Sequence, residues 1–106
     1  MIELDTDFLS ADETFCLGYL MAMDNFFHPE NALPILEEAY KTLNKSLTVS
    51  MIFALVKSQL FLNIDWCEIW KSVEKVSENK DLNQDLRTEA KKKIIDYMIG
   101  YKVYCQ

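Results

Sequence analysis

Residues 47–64 read LTVSMIFALVKSQLFLNI and form the most apolar stretch of the 106-residue chain. Over 47–62 the large apolar residues surround a helix on nearly all sides instead of following one stripe. A helix of this kind is predicted to lie in the middle of a bundle, where neighbouring helices bury every face. Polar residues between Lys57 and Asn63 interrupt the stretch, which favours a buried core helix over a membrane span.

Four further helices are predicted around this central one, from capping residues and apolar periodicity. Ser10 and Glu13 have the spacing of a capping box, Asn31 is the expected cap of the second helix, and Asp65 that of the fourth. The predicted ranges are 11–27, 32–43, 47–62, 66–78 and 82–99, with an extension of the last helix to 104 left open.

The predicted fold class is all-α, a compact bundle of about five antiparallel helices in a single domain over residues 1–106. Connections of three or four residues make consecutive helices antiparallel neighbours. With only two glycines and two prolines, the chain lacks the turn residues that a β-sandwich or β-barrel would need.

The net charge of −6 is distributed unevenly along the chain. The first forty residues contain nine carboxylates and no lysine or arginine, so they carry −9, whereas the remainder sums to +3. Such an asymmetry indicates either electrostatic attraction to a partner or complementarity between the two ends of the chain.

Catalytic and metal-binding motifs are missing from the sequence. His28 is the only histidine, and neither a nucleophile motif, a phosphate-binding loop nor a zinc signature occurs. We therefore expect a protein that is not an enzyme, with no catalytic residues, no metal site and no cofactor.

The acidic N-terminal third is the first candidate for a binding face. Carboxylates held on a rigid scaffold could imitate nucleic acid and occupy a basic surface of a target protein, so the preferred hypothesis is a small inhibitor or antagonist. The residues predicted to make the contact are Asp5, Asp7, Asp12, Glu13 and Asp24. In the alternative interpretation these acids only cap helices, complement the helix dipole and keep the protein soluble.

An aromatic stripe near the C-terminus is the second candidate. Tyr97, Tyr101 and Tyr104 lie at i, i+4 and i+7, and tyrosines of this kind are common in protein interfaces as well as in helical cores. They favour an adaptor, a chaperone-like module or a homodimer. Direct binding of nucleic acid through Arg87 and residues 91–93 is disfavoured, because the overall charge is negative.

The cysteines and the N-terminus predict a cytoplasmic protein without a membrane partner. Cys16, Cys67 and Cys105 are odd in number and widely spaced, which is typical of reduced thiols. Cys16 and Cys67 are interpreted as small core residues and Cys105 as an exposed thiol. The first ten residues carry acids where a secretory leader would carry bases.

Overall fold

The computed structural model describes residues 9–24, 28–61 and 64–105. Within this part of the chain there are five α-helices and no β-strand, which confirms the predicted all-α bundle. The helices are α1 (Ala11–Asp24), α2 (Leu33–Thr42), α3 (Leu47–Ser58), α4 (Trp66–Ser77) and α5 (Thr88–Met98). Short 3₁₀ turns precede α2 and follow α3, and a longer one, the C-terminal 3₁₀ segment, covers Ile99–Cys105.

Helix α3 is central because it contributes to two separate hydrophobic cores. Leu47 and Met51 enter the first and Val56 enters the second, so apolar residues are needed on more than one face of the helix. The C-terminal core contains Leu47, Met51, Ile69, Trp70, Val73, Leu82 and Met98. The N-terminal core contains Ala22, Ala32, Leu36 and Val56.

No helix among the described residues is both long enough and apolar enough to cross a bilayer. The apolar stretch that begins at Leu47 forms a helix that ends at Ser58. Its side chains pack against α2 and α4. The stretch is a core element, as its interrupting polar residues predict.

Two of the predicted helix caps are present. The Ser10 amide donates to the Glu13 carboxylate at 3.0 Å, and the Glu13 amide donates to Ser10 Oγ at 3.1 Å, which completes the capping box. Asp65 Oδ1 accepts from the Cys67 amide at 3.0 Å and so caps α4. At α2 the prediction was wrong, because Ala32 and not Asn31 precedes the helix, and no side chain within the described part of the chain caps it.

Helices α1 and α2 cross closely at Gly18. A β-carbon at this buried position would lie 2.8 Å from Leu36 Cδ2 and 3.2 Å from the Leu36 amide nitrogen. Both distances are shorter than ordinary van der Waals contact, and Leu36 is itself fully buried. The absence of a side chain at Gly18 is therefore what allows the two helices to approach.

Gly18→Ala is expected to lower the free energy of unfolding by about 1–2 kcal/mol, because overpacking outweighs the gain of up to about 1 kcal/mol in helix propensity. Gly100→Ala is the matched control, since no atom of the described residues lies within 4 Å of its added methyl group. Urea denaturation of both variants provides the measurement. A Gly18→Ala protein as stable as the control would contradict the close crossing.

Helix α5 begins at Thr88, six residues later than the start predicted at 82. The segment before it is instead hydrogen-bonded to the start of α3. The Asn83 carbonyl accepts from the Leu47 amide at 3.0 Å, and the Asn83 amide donates to the Lys45 carbonyl at 2.6 Å. Leu82 still enters the C-terminal core. The periodicity therefore identified a buried residue correctly but assigned it to the wrong secondary structure.

Asp85 links this segment to the N-terminus of α3 through hydrogen bonds. Its carboxylate accepts from Ser46 Oγ at 2.5 Å and from the Thr48 amide at 2.8 Å. Desolvation, the largest influence on the Asp85 carboxyl, raises its pKa, but the bonds from Ser46 and Thr48 together outweigh it and leave the pKa below the ordinary value. The ionised carboxylate is therefore the form that this contact stabilises.

Asp85→Asn is expected to lower the free energy of unfolding by about 1 kcal/mol at neutral pH, because a neutral amide replaces the ionised acceptor at the N-terminus of α3. Because the folded-state pKa is lowered, the ionised carboxylate stabilises the fold fully above the unfolded pKa of about 3.9, and this contribution is lost as the pH falls through the folded pKa. The difference in the free energy of unfolding between wild type and variant should therefore become smaller at acidic pH. Denaturation at a series of pH values measures it, with the exposed Asp81→Asn as control; a difference that is constant with pH would refute the assignment.

The cysteine predictions were wrong. Cys67 and Cys105 form a disulfide, with their Cα atoms 4.8 Å apart, and Cys16 is free and exposed rather than part of the core. The C-terminal 3₁₀ segment folds back along α4 and brings Cys105 to the start of that helix. Disulfides persist in oxidising compartments, so the cysteines do not support the prediction of a cytoplasmic protein.

Candidate protein-binding surface on helix α1

The side of α1 that faces away from α2 is the candidate site. Thr14, Gly18 and Ala22 recur every four residues and are buried, so they mark the inner side of the helix. The outer side spans about 140° of the helix circumference, at 3.6 residues per turn. We call it the outer face of α1; its exposed residues are Asp12, Glu13, Cys16, Tyr19, Leu20, Met23 and Asp24.

Three large apolar side chains occupy the outer face of α1 towards its C-terminal half. Leu20 is 65% exposed, Met23 46% and Tyr19 38%. The Tyr19 ring lies 6.4 Å from the ring of Phe15, which packs against the N-terminal core. Tyr19 is therefore supported from within the fold, while Leu20 and Met23 extend towards solvent.

Carboxylates lie at both ends of this face. Asp12 begins it and Asp24 ends it, about 18 Å further along the axis at 1.5 Å per residue. The pKa of Glu13 is lowered, mainly by the hydrogen bond with the Ser10 backbone and to a smaller extent by the hydrogen bond with the Ser10 side chain. Glu13 thus remains ionised while serving as a cap, and its charge still contributes to the acidic end of the face.

The neighbouring helix α2 and the turn before it extend the negative surface. Glu30, Glu37 and Glu38 are all exposed. The first basic residue in the sequence is Lys41, which pairs with Glu38 at 3.5 Å. Across the described residues up to Lys41, the α1–α2 half of the protein therefore presents six exposed carboxylates and a single cation.

The predicted acidic site residues are only partly covered by the structure. Asp5 and Asp7 lie outside the described residues. Asp12, Glu13 and Asp24 share the outer face of α1, at its two ends. The apolar centre between them was not predicted as part of the site, although apolar residues over most of the circumference of α1 were a signal that the helix is either buried or part of an interface.

The three tyrosines do not form one continuous face. Tyr97 is 76% exposed on α5, whereas the rings of Tyr101 and Tyr104 contact Trp66 with centroid distances of 6.3 and 4.6 Å. The change from α-helix to 3₁₀-helix after Met98 explains this, because three residues per turn place 101 and 104 on one edge. That edge lies against α4.

His28 is exposed, and no group of three or more potential metal ligands occurs among the described residues. Arg87, Lys92 and Lys93 are exposed as well, in the half of the protein away from the acidic helices. A comparison with protein families, curated proteins and solved structures finds no significant match to this chain.

Proposed function

We propose that this protein acts by binding another protein through the outer face of α1, as a small acidic inhibitor or antagonist. The observation that carries the proposal is the exposure of Tyr19, Leu20 and Met23 between carboxylates at the two ends of the helix. An apolar centre inside a charged rim is the usual organisation of a protein interface.

The chemistry of this face defines the partner. Leu20 and Met23 require an apolar depression, since burying their exposed surface is favourable by about 25 cal/mol per Å². Asp12 and Asp24 require basic residues about 18 Å apart on either side of that depression. A surface that otherwise binds nucleic acid would provide such bases, and blocking it would make this protein an antagonist.

The central test replaces the apolar residues without changing the charge. Leu20→Ser with Met23→Ser is expected to weaken partner binding by about tenfold or more, because two exposed side chains lose their buried contacts. Both positions are exposed, so the variant should fold like wild type, which circular dichroism verifies. Affinity capture from the source cells, followed by titration of the captured protein, provides the measurement.

Tyr97→Ser with Val103→Ser is the matched control, since both residues are similarly exposed on the opposite half of the molecule. This control should retain the partner. If it loses the partner while the α1 variant keeps it, the outer face of α1 is excluded. That result would support the second candidate, an adaptor or homodimer that uses the exposed C-terminal residues Tyr97, Ile99 and Val103.

The electrostatic part of the proposal is tested separately. Asp12→Asn with Asp24→Asn is expected to slow association and to flatten the dependence of affinity on salt, because rim charges act mainly on the encounter rate. Asp81→Asn with Asp96→Asn changes the net charge equally and should leave both properties as in wild type. Equal effects of the two pairs would show that only the total charge matters.

A further inference from the structure

A second possible binding site lies on the basic half of the molecule, in a groove between α3 and α4. The groove has a volume of about 340 Å³, which is within the range of small-molecule sites. Helix α3 forms one wall with residues spaced along one face of the helix, beginning at Ser50, and α4 forms the other wall with a face that begins at Glu68. The lining residues include Ser50, Phe53 and Lys57 of α3, Lys71 and Lys75 of α4, and Tyr40 of α2.

The charge of this groove is positive. Lys57, Lys71 and Lys75 line it, and among the described residues that line it the only acid is Glu68, which is already paired with Lys71 at 3.7 Å. Two lysines therefore remain on opposite walls, Lys57 on α3 and Lys75 on α4. Ammonium groups arranged in this way attract a phosphate group from both sides.

Aromatic rings form another part of the lining. The rings of Tyr40 and Phe53 lie 5.1 Å apart at an angle of 32°, and Lys57 Nζ lies 5.8 Å from the centre of the Phe53 ring. A flat ring of a ligand could stack here, because stacking on an aromatic side chain does not depend on a particular set of hydrogen bonds.

Ser50, one of the residues that line the groove, has a buried hydroxyl whose hydrogen-bonding capacity is unused. Ser50 is 3% exposed, and its hydroxyl has no hydrogen-bond partner among the described residues. Buried hydroxyls without a partner are rare, because each loses its hydrogen bonds to water when the protein folds and gains none in return. A ligand atom or a water molecule held by a ligand would satisfy it.

We infer that this groove binds a small organic phosphate that carries a flat ring, with the phosphate between Lys57 and Lys75 and the ring against Tyr40 and Phe53. The buried hydroxyl of Ser50 provides a hydrogen bond to the ligand or to a water molecule that the ligand holds. The site is independent of the outer face of α1, and either proposal can fail without the other.

The first experiment titrates the isotopically labelled protein with adenosine monophosphate and follows the backbone amides by NMR. Saturable shifts are expected at Ser50, Phe53 and Lys57 of α3 and at Ser72 and Lys75 of α4. The absence of saturable shifts at these amides up to millimolar ligand would overturn the proposal. Inorganic phosphate that binds as tightly as the nucleotide would overturn the part of it that assigns the ring to Tyr40 and Phe53.

Charge variants then separate the groove from general attraction to a basic surface. Lys57→Gln with Lys75→Gln is expected to weaken nucleotide binding by about a hundredfold, since the loss of each charged hydrogen bond lowers the affinity by about tenfold. Lys92→Gln with Lys93→Gln, on the exposed side of α5, removes the same charge and should leave the affinity almost unchanged. Equal losses in both variants would overturn the site.

Ser50→Ala provides a readout that general damage to the fold would not produce. Removing an unpartnered hydroxyl should leave the ligand-free protein as stable as wild type or more stable, while the affinity for the nucleotide falls severalfold. A variant that is at least as stable and binds as well as wild type would exclude Ser50 from the site.

Discussion

Cys67→Ser is expected to lower the free energy of unfolding by about 4 kcal/mol, a large part of the total for a domain of this size. The cross-link joins residues 38 positions apart, and closing a loop of this length removes much of the entropy of the unfolded chain. It also holds the C-terminal 3₁₀ segment on α4, where Lys102 Nζ lies 5.9 Å from the centre of the Trp70 ring.

Three comparisons make this prediction specific. Cys105→Ser should destabilise the protein as much as Cys67→Ser, and the double variant no further, because all three break one bond. Cys16→Ser should have almost no effect, since Cys16 is free and exposed. Urea denaturation with and without reductant measures these values. If Cys67→Ser unfolds at the same denaturant concentration as wild type, the disulfide does not stabilise the fold.

Met51→Ala is expected to lower the free energy of unfolding by about 2–5 kcal/mol, the usual range for truncating a fully buried methionine. Met51 is completely inaccessible to solvent and belongs to the C-terminal core. It lies on α3, the helix that also contributes Val56 to the N-terminal core. A cavity at Met51 should therefore weaken both halves of the molecule together rather than loosen one of them.

The measurement follows unfolding with two probes. Tryptophan fluorescence reports on α4 through Trp66 and Trp70, and far-ultraviolet circular dichroism reports on all helices. The two transitions should coincide, as they do in cooperative unfolding. Met23→Ala is the matched control and should change stability by less than about 0.5 kcal/mol, because Met23 is exposed. Separate transitions for the two probes would show that α3 does not couple the two cores.

The helix boundaries that were predicted correctly are those that depend on residues close together in the sequence. The capping box between Ser10 and Glu13 and the cap at Asp65 each need residues no more than three positions apart. The central position of α3 also follows from its own composition, because only a helix surrounded by others can bury apolar residues on several faces.

The errors arise where distant parts of the chain compete with local preference. Leu82 and Leu86 have helical spacing with Ala90. Hydrogen bonds that join Asn83 and Asp85 to the start of α3 nevertheless hold this segment in an irregular conformation. Likewise, nothing in the spacing of Cys67 and Cys105 indicates that they meet.

The acidic residues of the candidate site were predicted from the sequence, but its exposed apolar residues were not. The acids of α1 are visible in the sequence, because ionised side chains are almost always exposed. Tyr19, Leu20 and Met23 could not be assigned to the surface, because large apolar residues occur in protein cores as well as in interfaces. Only the packing of α2 against Gly18 shows which side of α1 is covered.

The sequence by itself determined that the protein is helical, where three of its helices begin, and that its first forty residues carry the negative charge, because propensity, capping and ionisation act over short distances. The tertiary structure decided which faces are exposed, the late start of α5, the pairing of Cys67 with Cys105, and the groove between α3 and α4. Each of these depends on residues far apart in the chain, whose contacts are made only when the two hydrophobic cores assemble on either side of α3.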